Sequence, residues 1–571
     1  MSGPAAPKDA EKQRPSFYII RNKDIFGGNK TEDGRGVQFL YQDNGRMISS
    51  ARMVGGITDE SMLELLKDVE GFKKLVHSLG VSLEMEDPAD EAEFIFQMYG
   101  KKDTYGGGSN LIQRMRGDGA EHRIYLADHT WTEDDNVPGQ IRVVMDKPEL
   151  SAKLNVRFYL NDGYTAPEVE DEEKIEFYSE AYNAMIKNSL LLQGDCTRLR
   201  RAIEKAKAGE NVTLAYIGGS ITQGAGATPI HKESYAMKSC RLFEKKFAAG
   251  GNVRLIKAGV GGTPSELGMI RFDRDVLRDH TVEPDVVVVE FAVNDYGDET
   301  NGVCYESLVR KALNLPNKPA VILLFAVFAD DGNLQERLSP VGRHYNLPMV
   351  SIKDAVTPQF YKKKEEGKVL TKSQFFYDLF HPTNAGHTIM ADCLANLFDL
   401  AEHAADASPE QSTDKLIAQS AVIGSTFEQV KLMDRKDLYS KAKITPGGFT
   451  ETDQALQCVE MDTELEPVPE FPYNWQYVGA DGVDNCFDMD ITCKALLLVF
   501  KDSGDPSAAK AHISVDGKFV RTADPFENGW IHCNPLVIID EPESGEHHVH
   551  IEAEDPEHRK QCTILGFGYV E

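Results

Sequence analysis

The middle of the chain alternates short, nearly continuous apolar runs with segments of helical periodicity. The runs are VTLAYI, VRLIKA, DVVVVEFAV, AVILLFAVF and PMVSI, and stretches such as SYAMKSCRLFEKKF and PSELGMIRFDRDVL lie between them. Strands that are apolar on both faces and alternate with helices are typical of a parallel sheet with helices on both sides. The sequence therefore predicts a three-layer α/β domain at residues 168–405, beginning with a helical lead-in.

Two regions with strand-like sequence flank this domain. Residues 16–167 contain EFIFQMYG, HRIYLAD, GQIRVVMD and LNVRFYLNDGY, with a helical pattern at about 59–78, and residues 422–571 contain ALLLVFKD, AHISVDGKFV, PLVIIDE and TILGFGYV. Runs of β-branched and aromatic residues bounded by Gly, Asp or Asn indicate strands. We predict two mostly-β accessory domains of sandwich or jelly-roll type, a linker at 406–421 and a disordered start at 1–15.

The composition excludes several classes of protein. With 91 acidic against 62 basic residues the net charge is −29, which disfavours nucleic acids and anionic membranes as partners. No apolar run approaches the roughly 18 residues of a membrane span, and the polar start lacks the apolar stretch of a secretory signal. The nine cysteines show no CxxC spacing, so we predict a cytoplasmic protein with free thiols and no zinc site.

The first motif, AYIGGSITQGAG, places Ser220 just after an apolar strand. In an open α/β sheet, ligands bind in the crevice at the carboxyl ends of the strands. A serine hydroxyl presented there can act as a nucleophile, although a Gly-Gly-Ser turn is also compatible with an ordinary tight turn or a phosphate-binding loop. The stretch does not have the GxxxxGK[ST] spacing of a nucleotide-binding P-loop.

Two further strand ends carry hydrogen-bond donors. Gly262, in AGVGGTPSE, can bring its backbone N–H close to a ligand because it has no Cβ atom, and Asn294, in FAVNDYGD, ends the next strand with a side-chain amide. Donors aimed at one point form an oxyanion hole, which stabilises a developing alkoxide. Each motif by itself is also compatible with simple turn chemistry.

The fourth motif, YDLFHPTNAGH, places Asp378 three residues before His381 in a loop that precedes a helix. A carboxylate at this spacing can hold one imidazole nitrogen while the other faces a serine hydroxyl, which is the arrangement that a general base requires. Such a pair is also compatible with a metal site or a surface contact. We expect His387, inside the following helix, to be a packing or surface residue.

Together, in this order and at strand ends, the four motifs resemble those of the SGNH hydrolases, the GDSL-type esterases, over about residues 211–400. The resemblance implies a flavodoxin-like parallel sheet and acyl transfer without a metal or an organic cofactor. It implies catalytic roles for Ser220, Asp378 and His381, and an oxyanion hole formed by Ser220, Gly262 and Asn294. The first block reads GGSIT and not GDSL. Polysaccharide-active relatives commonly lack this aspartate as well.

The flanking β regions resemble those of modular carbohydrate esterases. Aromatic rings in these regions are candidates for stacking on sugars, although all are also compatible with core positions. They are Trp475, Tyr477 and Trp530 in the C-terminal region, with Trp131 and Tyr164 in the N-terminal one. We expect a serine esterase that removes acetyl groups from plant cell-wall oligosaccharides of xylan or mannan type.

Two other classes of function remain open. A thioesterase or lysophospholipase would use the same residues on longer acyl chains, although no long amphipathic lid accompanies Ser220 in the sequence. A glycan-binding protein would hold the sugar without turnover, against which the complete catalytic set argues. The sequence defines neither the sugar nor the oligomeric state, and a homo-oligomer is one alternative.

Overall fold

The computed structural model describes residues 13–41, 43–168, 172–437 and 441–571. The disordered start predicted at 1–15 therefore falls, for residues 1–12, outside the described part of the chain. Within the described ranges, no helix is both long and apolar enough to cross a bilayer. All nine cysteines are free thiols.

The N-terminal region is mostly β-structure. Its strands are β1 (Ser16–Phe26), β2 (Asn29–Lys30), β3 (Gly36–Tyr41), β4 (Val76–Met85), β5 (Glu91–Gly100), β6 (Asn110–Arg116), β7 (His122–Tyr125), β8 (Asp135–Met145) and β9 (Ser151–Leu160), and its helices are α1 (Asn44–Met53), α2 (Glu60–Leu65) and α3 (Val69–Leu75). The strands form two antiparallel sheets, ordered β1-β9-β4-β7 and β2-β3-β8-β5-β6. Apolar side chains of both sheets share one core, in which Phe72 contacts Phe96 and Phe158.

The single helix predicted at 59–78 is wrong in extent. Helix α2 ends at Leu65, and Asp68 begins α3 by accepting a hydrogen bond from the Gly71 N–H at 2.7 Å. Aspartate at this position satisfies a backbone donor that a continuous helix would use internally, so it starts a new helix despite the unbroken apolar spacing. Strand β4 begins at Val76, inside the range predicted as helix. Helix α1, at Asn44–Met53, was not predicted from the sequence.

The middle region is the predicted α/β domain. Its strands are β10 (Leu190–Leu192), β11 (Val212–Gly218), β12 (Val253–Gly259), β13 (Val286–Glu290), β14 (Ala320–Phe325) and β15 (Met349–Ser351). Its helices are α4 (Glu180–Lys187), α5 (Thr197–Lys207), α6 (Ser220–Gln223), α7 (Ile230–Glu233), α8 (Tyr235–Phe247), α9 (Ser265–Asp275), α10 (Val303–Leu313), α11 (Gln335–His344), α12 (Ile352–Phe360), α13 (Lys372–Phe375) and α14 (Asn384–Glu402).

The central sheet has the order β10-β15-β14-β13-β11-β12. Strands β11 to β15 are parallel, whereas the edge strand β10 pairs antiparallel with β15. The prediction of a parallel sheet therefore holds for five of the six strands and is wrong for β10. Along β13, Val286 and Val288 belong to one core, which contains α8 and α14, and Val287 and Val289 belong to another, which contains α9 and α10. Helices on both faces therefore explain why every residue of this strand is apolar up to Glu290.

The C-terminal region is a second β-rich unit. It contains α15 (Thr413–Leu416), β16 (Lys431–Met433), β17 (Ala442–Thr445), β18 (Cys458–Val459), β19 (Val468–Pro469), β20 (Trp475–Val478), β21 (Cys486–Asp502), β22 (Ala511–Val515), β23 (Lys518–Ala523), β24 (His532–Ala553) and β25 (Gln561–Val570). The main sheet runs β16-β25-β21-β24-β22-β23, with β17 on β21 and β20 on β25.

This C-terminal region shares a hydrophobic core with the α/β domain. Leu497 and Val499 of β21 belong to the same buried cluster as α9, and at Gly568 of β25 a Cβ atom would lie 2.6 Å from Ile270 of that helix. The segment predicted as a linker, 406–421, is also held in place, since the Arg198 side chain donates to Asp414. The catalytic and C-terminal regions are therefore packed as one body along α9.

Candidate active site

Three neighbouring strands bring the predicted catalytic groups to one edge of the central sheet. Strand β11 lies between β12 and β13 in parallel register, so the three carboxyl ends are side by side. Ser220 follows β11, Gly262 follows β12 and Asn294 follows β13. The chain passes from β11 to β12 on one side and returns to β13 on the other, which makes this edge a switch point of the kind where α/β sheets bind ligands.

Ser220 is the first residue of α6 and is preceded by two glycines. A Cβ atom at Gly219 would lie 2.1 Å from Asn294 Oδ1, and one at Gly218 would lie 2.4 Å from the carbonyl oxygen of Glu290. Both positions require glycine because the turn packs directly against the end of β13. The same packing brings the Asn294 amide beside the serine.

The structure places His381 between Ser220 and Asp378. The Ser220 Oγ lies 3.0 Å from His381 Nε2, and His381 Nδ1 lies 2.9 Å from Asp378 Oδ2. With Nδ1–H donating to the carboxylate, Nε2 is left to accept the serine proton, as a general base must. The three residues therefore form the hydrogen-bonded chain that the sequence motifs predict.

The Asp378 carboxylate is only 3% exposed and is held by its own loop. Its Oδ1 accepts the backbone N–H groups of Phe380 at 2.8 Å and His381 at 2.7 Å. Burial by itself would raise the pKa of Asp378, but the charge and hydrogen bonds of His381 and these N–H groups outweigh it and hold the pKa below its usual value. Asp378 is therefore ionised at neutral pH and able to orient the imidazole.

The predicted oxyanion donors lie on two loops beside the serine. Gly262 has φ +72°, a conformation that side-chain-bearing residues rarely adopt, and Asn294 Oδ1 is buried with no hydrogen-bond partner in the described structure. The Asn294 loop is fixed from below, since Asp295 accepts the Ser265 N–H at 2.7 Å and its hydroxyl at 2.9 Å. The buried Oδ1 can only accept a hydrogen bond, so it is the amide N–H of Asn294 that can donate to a substrate oxygen.

The C-terminal region reaches the loop that carries Gly262. His532 Nε2 donates to the Gly262 carbonyl at 3.0 Å, and a Cβ atom at Gly262 would lie 2.8 Å from the Trp530 ring. Gln457 donates to the Gly261 carbonyl at 2.7 Å. The sequence analysis missed His532 and Gln457, because neither lies in a motif and each meets its partner only in the folded chain.

Carboxyl groups are buried beneath the site. Burial raises the pKa of Glu290 to about 8, and burial with the charge of Asp298 raises the pKa of Asp295 to about 8. Glu266, Asp298 and Cys304 are the set in the described residues whose ligand-type atoms lie within 4.8 Å of one another, as a metal site would require. Asp298 already accepts hydrogen bonds from Thr300 and Gly302, and burial followed by neighbouring carboxylates raises the pKa of Glu266 to about 10. Glu266 is therefore protonated at neutral pH, and its Oε1 is buried without a hydrogen-bond partner in the described structure.

The predicted sugar-stacking rings have different environments. Trp475 and Tyr477 are buried in the C-terminal core, where Trp475 contacts Phe487 and Phe567, so neither ring can reach a sugar and both predictions are corrected. Trp131 and Tyr164 pack against the N-terminal core. Trp530, by contrast, is 45% exposed beside the Gly262 loop.

A second group of aromatic side chains lies on the histidine side of the site. Phe380 precedes His381 and is 48% exposed, and its ring packs edge-on against Phe328 at 5.1 Å. Tyr296, two residues after Asn294, is also exposed. Ser220 is therefore flanked by exposed rings on both the Gly262 side and the His381 side, which the sequence motifs did not indicate.

His387 is a packing residue, one of the two alternatives expected. It is fully buried, its Nδ1 accepts the Tyr235 N–H at 3.2 Å, and its Nε2 donates to the Ala225 carbonyl at 3.0 Å. Burial lowers the pKa of His387 to about 3, so it stays neutral. It braces the chain after the nucleophile and does not contact Ser220's reacting hydroxyl.

A family model for GDSL-like lipases and acylhydrolases matches residues 216–389. These residues form a GDSL-like lipase/acylhydrolase domain. The matched range runs from within β11 into α14 and includes the five residues predicted for catalysis and the oxyanion hole: Ser220, Gly262, Asn294, Asp378 and His381. The hydrogen-bonded geometry of this GDSL-type site and the family match thus agree on the same stretch of chain.

Solved structures resemble the chain well beyond its GDSL-type domain. A two-domain esterase (CEX) active on acetylated mannans is 25% identical with a TM-score of 0.57, and the match covers 68% of this chain and 99% of that chain. A structure of such an esterase co-crystallized with mannopentaose is 24% identical with a TM-score of 0.57, over 70% of this chain and 100% of that one. No curated protein sequence matches the chain.

Proposed function

We propose that the protein is a carbohydrate O-acetylesterase that acts on acetylated oligosaccharides of mannan type through a Ser220 acyl-enzyme. The observation that carries the proposal is the chain of hydrogen bonds from Ser220 through His381 to Asp378, with Asn294 beside the serine. The two-domain esterase, 99% of which is covered by its match to this chain, is active on acetylated mannans. This supports mannan over xylan as the backbone of the substrate.

The first half of the proposed reaction forms the acyl-enzyme. His381 Nε2 takes the proton of Ser220 Oγ as that oxygen attacks the acetyl carbonyl. The resulting oxyanion is held by the backbone N–H groups of Ser220 and Gly262 and by the Asn294 amide. As the tetrahedral intermediate collapses, the bond to the sugar oxygen breaks, His381 gives its proton to that oxygen so that the sugar leaves as a free hydroxyl, and the acetyl group remains on Ser220.

The second half releases acetate. A water molecule takes the place of the sugar hydroxyl, and His381 Nε2 removes its proton as it attacks the acetyl-serine. The same donors hold the second oxyanion, and the returning proton regenerates Ser220. Asp378 stays ionised throughout, because its pKa is held low, and stabilises the imidazolium that forms in each half.

The surroundings of Ser220 favour a sugar over a lipid chain. Trp530 and Phe380 present exposed ring faces near the catalytic groups, and such rings stack well on the apolar faces of sugar rings. The alternative is a thioesterase or lysophospholipase reaction at the same serine, which calls for a long apolar acyl pocket. We infer that the acyl group is short and that most contacts are made to the alcohol part of the ester.

The proposal is tested by release of acetate from acetylated manno- and xylo-oligosaccharides, beside 4-nitrophenyl acetate and octanoate. Wild type is compared with Ser220→Ala and with the exposed control Ser151→Ala. We expect the manno-oligosaccharides to be the best substrates and the Ser220 variant to lose more than 99% of activity, as removal of a catalytic nucleophile does.

Each alternative outcome has a distinct meaning. Turnover of octanoate with inert sugars would replace the carbohydrate reading with the lipid or thioester one. Better turnover of xylo-oligosaccharides would change the backbone but keep the chemistry. Activity that survives in Ser220→Ala would overturn the assignment of the nucleophile.

A further inference from the structure

The N-terminal region contacts the loop that carries the catalytic histidine. Tyr377, the residue before Asp378, packs against the hydrophobic core of the N-terminal region, although it belongs to the α/β domain. Its ring also lies nearly parallel to the His381 imidazole, with 6.2 Å between the ring centres and 26° between the planes. One side chain therefore connects the N-terminal core to the catalytic base.

A lysine of the N-terminal region lies over the same ring. The Lys23 ammonium nitrogen is 3.9 Å from the centre of the Tyr377 ring, within the range of a cation–π contact. The pairing of β1 with β9 shifts register between Ile20 and Lys23, and Asn22 has φ +48°. A β-bulge re-aims the side chain that follows it, and here it directs Lys23 at the histidine loop.

The negative charge of Asp378 acts on the Lys23 ammonium group. Burial lowers the pKa of Lys23 to about 8, while the negative charges of Asp378 and Asp24 oppose that change, so the ammonium form persists at pH 7.

We propose that Lys23 and Tyr377 are positioning residues for the catalytic base, and that the N-terminal region acts through them on the reaction. Tyr377 fixes the plane of the His381 ring, and the Lys23 ammonium group balances part of the Asp378 charge. The inference rests on the proposed serine esterase chemistry, but it does not depend on which ester is the substrate.

The direction of the electrostatic effect follows from the signs of the charges. A carboxylate favours a neighbouring imidazolium and an ammonium group disfavours it, so we expect removal of the Lys23 charge to favour the protonated form of His381. The other titratable or charged groups around the pair are Asp24, Tyr41 and Arg46 of the N-terminal region, and Asp378, Tyr377, His387 and Ser220 of the α/β domain. Of these, His387 stays neutral and the tyrosines have raised pKa values. Asp24 is paired with Lys153 at 2.7 Å and Arg46 with Asp43 at 3.5 Å, whereas the Lys23 ammonium group lies over the Tyr377 ring.

The test is the pH profile of kcat/KM on 4-nitrophenyl acetate for Lys23→Met, Lys23→Arg and the exposed control Lys30→Met. We expect Lys23→Met to move the acidic limb to higher pH by roughly 0.5 unit, because His381 becomes harder to deprotonate. The Lys23→Arg variant keeps the charge and should retain the wild-type limb, as should Lys30→Met.

Tyr377 is tested separately. Tyr377→Leu is expected to lower kcat about tenfold with little change in KM, as loss of orientation of a catalytic group does, whereas Tyr377→Phe keeps the ring and most of the activity.

A lysine that acts only by packing would alter stability without moving the pH limb, so superimposable profiles for wild type and Lys23→Met would overturn the inference.

A second readout does not require turnover. The His381 imidazole can be titrated by NMR in Ser220→Ala protein labelled at histidine, with and without Lys23→Met. A higher imidazole pKa in the double variant supports the inference, and an unchanged one overturns it. Failure of the proposed function would appear differently, as a wild-type enzyme that hydrolyses no ester or one that does not need Ser220.

Discussion

Among single residues, Gly219 controls the oxyanion side of the site most directly. An alanine there would place its Cβ atom 2.1 Å from Asn294 Oδ1, and the asparagine would have to move. We expect Gly219→Ala to lower kcat on all esters about 100-fold or more, which is the cost of one oxyanion donor, with the fold retained. Gly297→Ala is the matched control, since open space surrounds Gly297 three residues from Asn294. Equal kcat values for the two variants would contradict this role.

Glu290 gives the protein a pH-dependent stability. Its pKa is raised by burial from 4.5 to about 8, so the folded state binds its proton more tightly than the unfolded state. Stability from this group is therefore complete below about pH 4.5 and is lost as the pH rises through about 8.

The variant Glu290→Gln should remove that part of the pH dependence. We expect the decline in the free energy of unfolding between pH 5 and pH 9, measured with denaturant, to become shallower by roughly 4 kcal/mol. The exposed Glu283→Gln should leave the decline unchanged. An equally steep decline in Glu290→Gln would show that this carboxyl group is already ionised in the folded state.

The predicted catalytic residues could be found because each lies in a short motif, Ser220 directly after strand β11 and the Asp378–His381 pair in the loop before α14. Ser220, Asp378 and His381 were assigned in this way, and the structure places them in hydrogen-bond contact. Trp475 was not distinguishable from Trp530 in the sequence, because an aromatic residue in a β-rich region is equally suited to a core or a surface. Only the packing shows which of the two rings is exposed.

Among the helices and strands, α9 holds the sheet edge that bears the site. Arg271 of α9 is fully buried and donates to the Ala258 carbonyl at 2.8 Å and to the Gly218 carbonyl at 2.9 Å, at the ends of β12 and β11. It also pairs with Asp275 at 3.0 Å. One guanidinium group thus joins the two strands that lead to Gly262 and the nucleophile.

Removal of this group should be costly. We expect Arg271→Met to lower the free energy of unfolding by about 3 kcal/mol, because it leaves two buried carbonyl groups without their donor and removes one of the two arginine partners of Asp275, the other being Arg274. The exposed Arg254→Met, on β12, should change it by less than about 0.5 kcal/mol. Chemical denaturation of both variants provides the comparison, and similar midpoints would contradict the assigned role of Arg271.

The strand elements were more predictable than their ends and partners. The apolar runs of β11, β13 and β14 are long enough to identify, whereas β10 consists of three leucines that a helix could equally contain. Arg271 was also beyond prediction, since an arginine in an amphipathic helix is expected at the solvent face. Its burial depends on carbonyl groups that only the assembled sheet presents.

In the whole molecule, the C-terminal region contributes a wall of the site. Trp530 is exposed beside Gly262, so we expect Trp530→Ala to raise KM for acetylated manno-oligosaccharides roughly five- to tenfold through lost stacking. Hydrolysis of 4-nitrophenyl acetate, which has no sugar, should change much less. The exposed Phe519→Ala, elsewhere on the C-terminal sheet, should affect neither substrate. A parallel loss on both esters would instead assign Trp530 a purely structural role.

Contacts between the three regions could not be predicted from the sequence. His532 and Gly262 are 270 residues apart, and nothing in either stretch marks the other as its partner. The three-region organisation could be read from the alternation of strand and helix patterns, but the way in which the flanking regions meet the catalytic loops depends on the folded surfaces.

The hydrogen bond from His532 to the Gly262 carbonyl has a consequence for how activity is lost over time. The geometry of one oxyanion donor is set by a residue that is in place only while the C-terminal region is seated. Any separation of the C-terminal region from the α/β domain would remove this hydrogen bond from the Gly262 carbonyl. The half-life of activity would then depend on how strongly the C-terminal region is held against the α/β domain. Substitutions that strengthen this contact would prolong activity without a change in the residues that react.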